Sequence, residues 1–101
     1  MRRNQRQAHD LLCRDLVLHT AERLDRLRTM VERSGLQERE ELERTLDTLR
    51  GLRNRVMARV EAAHIAAEDA WPFARATADQ SIEELMAGLD AVENRLKRAA
   101  A

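Results

Sequence analysis

Residues 42–67 read LERTLDTLRGLRNRVMARVEAAHIAA, and the spacing within them decides the fold. Leu42, Leu46, Leu49, Arg53, Val56, Val60, Ala63 and Ala67 follow one another at alternating steps of four and three. That is a period of about 3.5 residues, the repeat of helices that wind left-handed around a partner. A half-buried strand would alternate apolar and polar at every second residue instead. One position of the stripe is charged. Arg53 is expected to lay its aliphatic stem along the seam and carry its guanidinium out to water. Gly51 costs such a helix about 1 kcal/mol against alanine, and it is the one place in the run where a further turn would fit.

Downstream the pattern stumbles at Trp71-Pro72. Proline lacks an N–H and clashes with the preceding turn, so a helix must kink or stop there. Asp69 is a candidate N-cap that would put Pro72 in the tolerated first turn of a new helix. A later start with Ser81-x-x-Glu84 as capping box is the alternative. From Ala78 the heptad resumes through Ile82, Leu85, Leu89, Val92 and Leu96, with Met86 widening it.

Upstream, Ser34-Gly35-Leu36 is the clearest interruption, since glycine takes the left-handed conformation that ends a helix. Ser34-x-x-Gln37 would equally suit as the cap of the next helix. Before it, Leu12, Cys13, Leu16, Val17, Thr20, Leu24, Leu27, Met30 and Val31 share one helical face at 100° per residue. Leu11 and Leu18 lie nearly opposite, a second apolar surface that calls for a second contact.

The spacing therefore predicts an all-α fold with helices over about 4–33, 37–70 and 72–98, the first two joined as an antiparallel hairpin. Two architectures fit: a closed up-down-up three-helix bundle, or a hairpin that completes its core as a coiled-coil oligomer. Three narrow stripes bury little against the entropy of ordering the chain, so a homo-oligomer is expected, with a protein partner as a further role. The residues expected to carry assembly are Leu11, Leu18, Val56, Val60, Trp71, Leu85, Leu89 and Val92.

Composition agrees. Of 101 residues, 36% are charged and 44% apolar, with Trp71 and Phe73 the aromatics. The 18 basic and 18 acidic residues cancel, and every basic one but Lys97 is arginine. Balanced charge and so few rings argue against nucleic acid as a partner, and balanced charge also makes a membrane surface an unfavoured one. Neither a signal peptide nor a spanning run is present, so a cytoplasmic protein is expected. Cys13 has no partner for an intrachain disulfide.

Few residues suggest chemistry. Glu61-x-x-His64 projects two ligands to one side of a helix, the arrangement of di-iron carboxylate bundles, with Glu68 one turn beyond. A hairpin pivoting at residues 35 and 36 would bring His9 and Asp10 level with that pair. Glu61, His64, His9 and Asp10 are thus the candidate metal ligands, for iron or another divalent metal. The motif resembles that of small encapsulated ferritin-like proteins, which double it by dimerising. Eighteen acids make such a pairing common by chance, so the working expectation is no cofactor and no catalysis. Cys13 with His9 could mimic a thiol–imidazole pair, but no oxyanion hole or cleft accompanies it. His19 and Glu22 form a weaker pair, and Arg50, Arg53, Arg55 and Arg59 spread around their helix. Trp71 is expected to anchor its junction by filling a groove between helices.

Glu68, Asp69, Ala70 and Trp71, followed by Arg75, Ala78, Ile82, Leu85, Leu89 and Leu96, resemble a group of small bacterial coiled-coil proteins. In these an acidic–Ala–Trp element joins a heptad helix to an Ala- and Leu-rich amphipathic one. Arg39 to Arg59 is similar in style to their first helix, so the likeness spans about two thirds of the chain. It implies no catalytic residues, since members are mostly uncharacterised and sometimes associated with stress. Pro72 departs from the polar residue usual after the tryptophan, which argues against a straight helix there. Phasin-like and apolipoprotein-like proteins share the general look, and with it comes the alternative of an amphipathic lipid- or granule-surface role.

Overall fold

The computed structural model describes residues 2–100 and contains three helices: α1 (Arg2–Arg33), α2 (Arg39–Ile65) and α3 (Trp71–Ala100). Each packs on both others, α1 meeting α3 least closely. Across α1 and α2, Arg6 reaches Ala63, Arg14 reaches Glu61, Arg53 reaches Val17 and Arg28 reaches Asp47, so numbers on α2 fall as those on α1 rise. Across α1 and α3 they rise together, from His9–Asp79 to Arg23–Asp90. The result is a rod of 51 × 18 × 17 Å, about as long as one such helix at 1.5 Å per residue. Among the described residues no helix is long and apolar enough to cross a membrane.

The turns explain where the helices stop. Gly35 takes φ +62°, a conformation most side chains adopt only with strain. Ser34 serves the end of α1 rather than the start of α2. Its Oγ donates to the Val31 carbonyl (2.7 Å) and accepts from the Leu36 N–H (3.3 Å). The second helix then begins at Arg39, after Glu38, which makes no side-chain cap. Glu40 and Glu41 in its first turn suit the positive end of the helix dipole.

The expected second helix, 37–70, is too long. It ends at Ile65 because Ala66 turns extended (φ −62°, ψ 142°). The link to α3 is closed by Ala70 and Trp71 N–H groups donating to the Ala67 carbonyl at 3.0 and 2.9 Å. Trp71 opens α3 two residues beyond the expected cap Asp69, and Pro72 stands in the first turn, where a missing N–H costs nothing. Gly51 and Ser81 both sit inside helices rather than at breaks.

The core is one seam drawn from all three helices. Cys13, Val17, Leu24, Leu27 and Val31 of α1 meet Leu42, Leu46, Leu49, Val56, Val60 and Ala63 of α2. Ala78, Ile82, Leu85, Leu89, Val92 and Leu96 of α3 complete it. On α1 the buried stripe is narrower than expected, because Leu12 and Met30 stand in solvent. Five of the residues expected to carry assembly are also relocated. Val56, Val60, Leu85, Leu89 and Val92 lie in the seam, covered by the chain's own helices. The reason is that α3 supplies the third side of the seam, which an open hairpin would leave bare.

Arg53 departs from the expected snorkel. Its Nε donates across the seam to the Val17 carbonyl (3.2 Å) and to Thr20 Oγ1 (3.3 Å), and Thr20 is itself buried.

The two helical glycines of α2 and α3 make opposite predictions. A Cβ on Gly51 would meet nothing, whereas one on Gly88 would overlap Leu49 Cδ2 in the core. Gly51→Ala is expected to raise the free energy of unfolding by about 1 kcal/mol. Gly88→Ala gains no such increment, because Leu49 has to repack. Urea denaturation midpoints of the two variants check this.

Candidate functional site

One end of the rod gathers the start of α1, the end of α2 and the start of α3, and most of the polar chemistry lies there. Arg6 is its hub. Its Nη2 donates to the carbonyls of Ala63 (3.2 Å), His64 (3.2 Å) and Ala66 (2.8 Å). The last carbonyls of a helix have no partner within it, and here a cation from another helix satisfies them. The same guanidinium lies 5.5 Å from the centre of the Trp71 ring, and Arg75 lies 5.3 Å from it. Trp71 is half-buried and held by two cations, each drawn to the electron-rich face of an indole.

His9 packs against Trp71 edge to face, with ring centres 6.1 Å apart and planes at 89°. It is buried and needs a polar partner, which comes from α3: Nε2 stands 2.8 Å from Asp79 Oδ1. Cys13, one turn further along α1, has its Sγ 3.4 Å from the same Nε2. Burial raises the pKa of the Cys13 thiol above its ordinary 9.0, the carboxylates of Asp79 and Asp10 add to this, and Arg75 opposes it weakly. A thiol held so keeps its proton more firmly than a free one, which weakens it as a nucleophile.

On the α2 side, Arg14 bridges two acids. Its Nε donates to both oxygens of Asp10 (3.0 and 2.9 Å) and its Nη2 to Glu61 Oε2 (2.8 Å). The hydrogen bond to Glu61, then that to Asp10, raises the already high pKa of the guanidinium. His64 Nδ1 is 3.4 Å from Asp10 Oδ1. Between these groups opens a cleft of about 470 Å³ lined by Arg6, Gln7, Asp10, Leu11, Ala63, His64 and Trp71.

The four expected metal ligands are thus neighbours that do not converge. Asp10 does meet His64, but Glu61 is held by Arg14 and His9 faces α3 instead of α2. Glu68 lies in the turn beyond the end of α2, off the helical face assumed for it. Among the described residues, the side chains whose donor atoms could share an ion are His9, Cys13 and Asp79. Asp79 escaped the sequence reading because nothing local marks it; only a buried histidine on the facing helix calls for it. Of the residues expected to carry assembly, Leu11 and Leu18 are largely exposed and Trp71 lines the cleft. Of Arg50, Arg53, Arg55 and Arg59, expected to spread around their helix, Arg53 turns inward to α1.

No protein-family model, no curated protein and no solved structure matches this chain.

Two outcomes follow from the geometry. Arg6→Ala is expected to destabilise the fold by about 1 kcal/mol, by releasing the α2 carbonyls and one cation from Trp71. Acrylamide quenching of the lone tryptophan should rise in that variant. Cys13, 2% exposed, should react with a thiol reagent far more slowly in the native chain than in urea, as absorbance of the released chromophore will record.

Proposed function

We propose that this chain is a non-enzymatic helical-bundle protein that self-associates, with α1 and α2 as an antiparallel hairpin against which α3 folds back. The observation that carries the reading is the apolar ridge left on the α1–α2 face after the seam is closed. Leu11 and Leu18 stand two turns apart on α1, 69% and 58% exposed, with Met57 of α2 at 45%. Solitary exposed leucines are ordinary, but Leu18 and Met57 line one groove, and Leu11 lines the cleft beside Trp71. A cleft of about 500 Å³ runs between Val17, Leu18, Met57, Ala58 and Val60, bordered by Arg14, Arg53 and Glu61.

The occupant we favour is a second copy. The rim of the groove carries both signs of charge, so an identical surface turned through a two-fold axis would set cation against anion. A net charge of zero leaves no long-range repulsion between copies. The likeness to small bacterial coiled-coil proteins agrees with a structural role. A single unpaired cysteine suits a reducing, cytoplasmic setting. A lipid-surface role is less favoured, because the largest apolar stripes already face one another.

Light scattering as a function of concentration tests the reading. The wild-type mass should rise to a multiple of the single chain, and Leu11→Glu with Leu18→Glu should return it to one chain at unchanged helical circular dichroism. A single-chain mass for the wild type up to millimolar concentration would overturn the proposal.

A further inference from the structure

We propose that His9, Cys13 and Asp79 form a mononuclear zinc(II) site that ties α1 to α3. Their donor atoms all lie within 4.8 Å of one another. Two come from α1 at a spacing of one turn, and the third is delivered by a different helix, so the fold rather than a local motif assembles the set. His9 Nε2 is 3.4 Å from Cys13 Sγ and 2.8 Å from Asp79 Oδ1. Bonds of about 2.0–2.3 Å to zinc separate neighbouring donors of a tetrahedron by roughly 3.3–3.8 Å. The sulfur–nitrogen spacing already suits the ion. The carboxylate has to withdraw by about half an ångström to admit it.

The donor set selects the metal. One thiolate, one imidazole and one carboxylate suit zinc, whereas magnesium and calcium demand oxygen donors. A single carboxylate cannot supply the bridging acids of a di-iron centre. His9 and Cys13 are nearly dry, so the attraction between cation and thiolate is weakly screened. Asp79, 46% exposed, provides the entrance and leaves a fourth position for water. Around this set stands a second layer: Trp71 packs perpendicular to the His9 ring, and Arg75 Nε lies 3.8 Å from the other oxygen of Asp79. On binding, Cys13 gives its proton to solvent and a sulfur lone pair forms the S–Zn bond, with no change of oxidation state. The role is a staple across α1 and α3, the pair of helices that meets least closely.

The test is titration of the metal-stripped full chain with cobalt(II), and it is independent of self-association. One cobalt per chain should give a sulfur-to-cobalt charge-transfer band in the near ultraviolet and the intense visible bands of a tetrahedral ion. Zinc should bleach both and raise the urea midpoint of the chain. Trp71 emission should fall with cobalt, since the ion sits beside the His9 ring. Cys13→Ser should abolish the charge-transfer band, and Asp79→Asn should weaken cobalt binding about 10- to 100-fold. Glu61→Gln and His64→Ala should bind as the wild type does. A weak octahedral spectrum with no charge-transfer band in the wild type overturns the proposal. So does an affinity that survives Asp79→Asn but is lost in His64→Ala.

Discussion

Three apolar stripes that no single helix can hide are the constraint on which everything else depends. Each follows a period of about 3.5 residues, and each occupies only part of its helix surface. Helices within a folded protein gain most of their stability from packing such a face rather than from intrinsic propensity. The side chains of all three therefore meet in one seam, from Val31 and Leu42 near one end to Cys13 and Ala63 near the other. The connections only have to be short and correctly shaped. Gly35 supplies the left-handed residue at one, and Ala66 turns extended at the other.

Once the seam is closed, polar groups are forced to its margins, and the two ends of the rod treat them differently. Far from the helix junction of α2 and α3, arginines span the grooves to acids on the neighbouring helix, as Arg23 does to Asp90 and Glu93, and Arg28 to Asp47. Asp90 and Asp47 are water-exposed and Glu93 is half-buried, and pairs to exposed carboxylates contribute little each. At the junction itself the polar atoms lie deeper. Arg6 closes the carbonyls of α2, Trp71 fills the space between its two cations, and His9 turns toward Asp79. None of the buried polar side-chain atoms described is left without a partner. That density of satisfied contacts makes this end the place where an ion or a partner would be felt by all three helices.

Periodicity made the helices and most of the seam legible from sequence alone. Leu42 to Ala63, Ala78 to Leu96 and the break at Gly35 needed no coordinates, because spacing and a glycine carry them. The end of α2 was not legible. Ala66 and Ala67 have high helix propensity, so nothing local marks the extended turn at Ala66, whose carbonyl is taken by Arg6 reaching over from α1. The width of the α1 stripe was not legible either. Leu12 and Met30 look like core by angle, yet the three-fold arrangement leaves them outside the triangle. The candidate site was half legible. Asp10 and His64 approach as the hairpin pivot implied, but the partner of His9 lies on α3, and no pattern within α1 or α2 encodes the rotation of a third helix.

The crossing hydrogen bonds of Arg53 to Val17 and Thr20 have a consequence for how uniquely the rod is defined. A ladder of near-identical aliphatic rungs could slip by seven residues and find almost the same grip. One rung here is different, since a guanidinium nitrogen must find a carbonyl and a hydroxyl at a fixed height. Any slide of α1 along α2 would strand that charge against hydrocarbon, so a single polar rung removes the translational degeneracy of the rest.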